Sequence, residues 1–109
     1  MRPAAALAGA ATIALVYAAA RRLGLTSVDL AGRVAPRHRV RGRALQLAAG
    51  TVACLPAAAT GSARRGALAG MTTGILAAGR APRRADAAVA LAAHAAGGAV
   101  AGRLAAALS

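Results

Sequence analysis

His94 is the one ionisable side chain set well inside an apolar stretch of this 109-residue chain. Titratable groups in such stretches face a partner or a cavity, and an imidazole there can relay protons or hold a metal. Thr72 and Thr73, in the preceding apolar run, are the hydroxyls placed to hydrogen-bond it. No second histidine, cysteine pair or carboxylate joins them. His94 therefore reads first as a structural residue, bonded across a bundle or wetted by a shallow cavity. Thr12, Thr51, Thr72 and Thr73 read as helix-to-helix bonds or bonds to their own i−4 carbonyls. Cys54 is the only cysteine, which excludes an internal disulfide and leaves a small packing residue. The two acids, Asp29 and Asp86, fall in connecting segments, and there is no nucleophile elbow, phosphate loop or carboxylate pair. The expectation is a protein that is not an enzyme, with no catalytic residue, cofactor or metal site.

The charge points to a partner instead. All fourteen basic residues are arginine and the net charge is +12. A chain this basic invites a nucleic-acid reading, but its arginines are confined to short segments between apolar runs, and no aromatic residue accompanies them for stacking. The densest strip, Pro36 to Arg43, offers Arg37, Arg39, Arg41 and Arg43. It reads as a topological anchor or as a contact for anionic lipid headgroups.

Composition indicates what must position these residues. Thirty-eight residues are alanine, phenylalanine and tryptophan are absent, and Tyr17 is the only aromatic. A water-soluble core of this size needs large interlocking side chains, which are scarce although 59% of residues are hydrophobic. Small, apolar residues suit helices that pack closely in lipid. Four segments are expected to be helical, at residues 3–20, 44–61, 64–80 and 86–107, with a basic loop at 21–43. The fold class is all-α: a small integral membrane bundle of about four short transmembrane helices in one domain, packed through alanine and glycine.

The stretch from Gly66 to Gly79 is the one around which the others should be organised. Gly66, Gly70 and Gly74 recur every four residues, with Ala78 continuing the row, so they share one helix face. In water each interior glycine costs about 1 kcal/mol relative to alanine, whereas in lipid a bare face lets another helix approach. Leu68, Met71, Ile75 and Leu76 should point elsewhere. Gly98 and Gly102 repeat the device in the last helix, with His94 before them on the same face. In the second helix the corresponding row is Ala49, Ala53, Ala57 and Gly61, and Pro56 is tolerated as a kink. Residues 3–20 admit a competing reading as a signal peptide, with Ala18 to Ala20 as a cleavage site. The arginines that follow favour retention as a helix.

Within the basic loop, Thr26 and Asp29 have the spacing of a capping box, which predicts a short interfacial helix over Ser27 to Val34. Asp86 is placed to cap the fourth helix. A short repeat, ALAGAAT at Ala6 to Thr12 against ALAGMTT at Ala67 to Thr73, hints at a duplicated hairpin. Ten arginines fall in the first and third connections and three in the N-terminus and second connection. By the positive-inside rule the first set is cytoplasmic and both termini lie outside.

Four short helices in a chain of this length resemble the plan of the small multidrug-resistance transporters, a family that depends on a glutamate in its first helix. This chain has no glutamate. Gly70, Met71, Thr72 and Thr73 are similar to the G-x-T-T segment of the small fluoride channels, whose following phenylalanines are absent here. Neither resemblance carries over a site residue. The expected function is a small multi-pass membrane protein in the plasma membrane, self-associating or serving as an accessory subunit. Its partners are the bilayer, anionic lipid headgroups and a second copy or membrane protein. A pore-forming oligomer and a basic nucleic-acid-binding protein are the alternatives.

Overall fold

The computed structural model describes residues 2–26, 39–81 and 83–109, and among the described residues four helices are the only regular elements. They are α1 (Arg2–Arg22), α2 (Arg39–Ala59), α3 (Ala63–Gly79) and α4 (Arg84–Ala107). The all-α class is therefore as expected. Two helices, over Pro3–Arg22 and Arg84–Ala107, are long and apolar enough to cross a membrane. α2 opens on three arginines and α3 has only 17 residues, about 25 Å at 1.5 Å each.

Local chemistry sets the helix ends. α1 closes in a Schellman motif: Gly24 takes φ 72°, its N–H donates to Arg21 O at 3.1 Å, and Leu25 N–H donates to Ala20 O at 2.9 Å. Gly61, at φ 63°, makes the turn between α2 and α3, and Ser62 then caps α3 by accepting from Arg65 N–H. The helices alternate in direction along the chain. Gly9 of α1 lies against Cys54 of α2 and Gly97 of α4, and Gly66, Gly70 and Gly74 of α3 run antiparallel along Gly98, His94 and Ala90 of α4.

The central helix is α4, which packs on all three others and buries nine residues. This corrects the expectation that residues 66–79 form the organising element: α3 is peripheral, and its only buried residues are Gly66 and Gly74. Hydropathy cannot make that distinction, because a helix surrounded by small neighbours needs no larger side chains than one at the edge. Three further corrections concern register. Arg39, Arg41 and Arg43 belong to α2, not to a loop, since arginine is a good helix former and no breaker follows Pro36 before Gly42. The buried face of α2 runs through Cys54, Ala57 and Ala58, with Gly50 against Ala10, whereas Ala49 is exposed and Gly61 lies beyond the helix. Asp86 does not cap α4. Arg83 is the capping residue, without a side-chain bond, and Asp86 sits in the first turn.

The interior is made of small residues. Ten of the fourteen buried hydrophobic residues are alanine, joined by Ile13, Tyr17, Cys54 and Val89, and no leucine among the described residues is buried. The large side chains face outward, including Leu15, Leu23, Val52, Leu68, Ile75 and Leu76.

Candidate functional site

Two features are candidates for function: the glycine seam between α3 and α4, and a polar cluster where α1 ends and α4 begins. At the seam, a Cβ built on Gly66 would meet the carbonyl of Gly98, one on Gly98 the carbonyl of Gly66, one on Gly70 the carbonyl of His94, and one on Gly102 the carbonyl of Ser62. Each approach is closer than real Cβ atoms allow. The backbones touch without intervening side chains, which suits dispersion and weak Cα–H···O contacts between helices. Gly97 forms a second notch with Gly9 and Ile13 of α1, 2.8 Å separating its notional Cβ from Gly9 O. Successive residues point about 100° apart on a helix, so the Gly97–Gly98 doublet serves two different neighbours. The sequence singled out Gly98 alone. The doublet itself was the signal for the second contact.

The polar cluster centres on Asp86, which is 2% exposed. Thr26 Oγ1 donates to Asp86 Oδ1 at 2.5 Å, and Arg83 Nε donates to Asp86 Oδ2 at 3.3 Å. Thr26 is itself buried, held inward by the turn at Gly24. A carboxylate in the first turn of α4 also meets the positive end of the helix dipole. These favourable terms offset the desolvation that a buried charge incurs. The contact joins residues sixty positions apart and fastens the segment after α1 to the start of α4. Thr26 was expected to form a capping box with Asp29 over Ser27 to Val34; Asp29 and residues 27–34 lie outside the described residues, as does Arg37.

Asp86→Ala should remove the buried acceptor of the Thr26 hydroxyl and lower stability by about 2–4 kcal/mol. Arg83→Gln should cost at most about 1 kcal/mol, because the Arg83 side chain is 58% exposed. Thermal unfolding of both variants checks the ranking, and equal losses would contradict the central place given to the carboxylate.

His94 is half-buried, and its Nδ1 lies 2.7 Å from Ala90 O, one turn back in the same helix. Its partner is therefore its own backbone and not a group across the bundle. Thr72 donates to Leu68 O, Thr12 to Ala8 O and Thr51 to Leu47 O, all within their own helices. Thr73 is half-buried and neither threonine pairs with His94. Among the described residues, no buried side-chain nitrogen or oxygen lacks a partner, and no three His, Cys, Asp or Glu side chains gather as a metal site would require. Arg41 and Arg43 are exposed on the first turns of α2, which Arg39 opens.

Compared with protein-family models, curated proteins and solved structures, the chain matches none.

Proposed function

We propose that the chain is a small multi-pass membrane protein whose four helices all cross the bilayer, packed through glycine and alanine, with its outward leucines, Val52, Met71 and Ile75 against lipid tails or another membrane subunit. The observation that carries this reading is the inverted placement of side-chain size. Twelve large hydrophobic side chains are exposed while alanine fills the interior. Burying a leucine-sized side chain is worth about 1.5–3 kcal/mol. Leaving twelve half-exposed in water forgoes on the order of 10 kcal/mol, comparable with the whole stability of a typical domain. In lipid that term vanishes, and close backbone contact of the kind made by Gly66 and Gly98 becomes the available source of association.

The polar groups support the same reading. Thr12, Thr51, Thr72 and His94 are satisfied within their own helices, the arrangement required where no water is available. α3 is short for a hydrocarbon core of about 30 Å, so Arg64, Arg65 and Arg80 at its ends would snorkel or the bilayer would thin beside it.

The alternating helices bring Arg21, Arg22, Arg41, Arg43, Arg80 and Arg84 to one end, which the positive-inside rule assigns to the cytoplasm. With a reporter active only in the cytoplasm, fusions within residues 36–43 should be active and fusions after Ser109 silent. The opposite pattern would reject this orientation.

A further inference from the structure

We propose that the arginine-rich end of the bundle is a binding surface for anionic phospholipid headgroups, with Arg41, Arg43, Arg80 and Arg84 as phosphate contacts. The proposal rests on the membrane reading above and names the partner of that surface.

The contacts between helices assemble this end. Gly50 against Ala10 and Cys54 against Gly9 set α2 antiparallel to α1, Gly74 against Ala90 and Leu91 brings the end of α3 beside the start of α4, and Thr26 on Asp86 ties the end of α1 to the same place. All four proposed contacts are exposed. The carboxylate described at this end, Asp86, is buried and directed at Thr26 and Arg83, so it does not neutralise the surface. Guanidinium groups that no carboxylate among the described residues pairs offer the planar forked donors that match phosphate oxygens.

The neighbouring apolar residues select the source of the phosphate. Leu45, 52% exposed, stands two residues after Arg43, and Leu23 and Leu25, 74% and 52% exposed, follow Arg21 and Arg22 at the same end of the bundle. An apolar wall meeting a guanidinium rim reproduces the order of acyl chain and headgroup in a leaflet, and arginine's aliphatic stem bridges the two levels. A nucleic acid would have to cover those leucines. It would also find no ring on which to stack a base, because Tyr17, the only aromatic residue, is 6% exposed inside the bundle.

The test uses the full chain in detergent solution, where orientation across a bilayer plays no part. Phosphatidylglycerol should raise the unfolding temperature by several degrees more than phosphatidylcholine, and the difference should shrink as salt rises from about 0.05 to about 0.5 M, as screening requires. Combining R41Q, R43Q, R80Q and R84Q should remove at least half of the difference, whereas R64Q with R65Q, at the other end, should preserve it. Equal responses to the two lipids, or equal losses in the two variants, would overturn the proposal. So would the same shift produced by inorganic phosphate, or a larger one produced by a DNA duplex. If the fourfold variant does not fold, retention of lipid by the wild-type chain in native mass spectrometry decides: selective retention of phosphatidylglycerol supports the surface, and equal retention rejects it. Failure of the membrane reading looks different, since the chain would then remain in solution without any detergent.

Discussion

Gly98→Ile is expected to force α3 away from α4 and to destabilise the bundle strongly. A Cβ at residue 98 would press on the carbonyl of Gly66 and approach Gly70 Cα at 3.1 Å, all backbone atoms of another helix. No rotamer change relieves such a contact, so the helices must separate. Even Gly98→Ala tests the point, because two effects of opposite sign compete. Alanine gains about 1 kcal/mol of helix propensity over glycine, and overpacking a tight contact costs about 1–3 kcal/mol, more when the backbone itself must move. The second term should win by about 2 kcal/mol for alanine and by more for isoleucine. Gly70→Ile, against the carbonyl of His94, should behave like Gly98→Ile. Gly79→Ala is the internal control: nothing lies within 4 Å of a Cβ there, so it should be neutral or slightly stabilising. Leu68→Ile, on the exposed outer face, should also be nearly neutral. Unfolding in detergent, with protease sensitivity of residues 60–80, reads the series. A Gly98→Ala variant as stable as Gly79→Ala would remove the seam from the account.

The seam is the part of the molecule most open to reading from sequence, and the reason is its spacing. A residue without a side chain every four positions identifies a face whatever the partner, so the outward direction of Leu68, Met71, Ile75 and Leu76 was legible as well. Where alanine replaces glycine that signal fades. With alanine at more than a third of positions, several i, i+4 rows of small residues coexist on each helix. The expected row through Ala49 and Ala53 could not be told from the neighbouring one through Gly50 and Cys54 that faces α1. The central place of α4 was hidden for a related reason: in an interior filled by alanine, the most buried helix has no distinctive composition.

The polar cluster was illegible for a different reason. Asp86 stands where a capping residue belongs, and local rules stop there. Its partner Thr26 lies sixty residues away and becomes a neighbour only once the Gly24 turn and the antiparallel packing of α1 on α4 are known. The arginines of α2 lie in a helix and not in the expected loop because charge alone does not mark a loop. An arginine-bearing segment can instead continue a helix out of an apolar layer, with long side chains reaching away from it.

The central claim is that these helices lie in lipid, and the most direct measurement is the partition of the expressed chain through a sequence of washes. Attachment by charge alone, to a membrane surface or to nucleic acid, weakens steeply with salt because counterions screen it within about 3 Å at 1 M. Burial of leucine, valine and isoleucine in acyl chains does not weaken. The chain should therefore remain in the membrane pellet through 1 M salt and an alkaline carbonate wash, and leave it only in detergent. Recovery of folded protein in the soluble fraction after the salt or carbonate step would contradict the account.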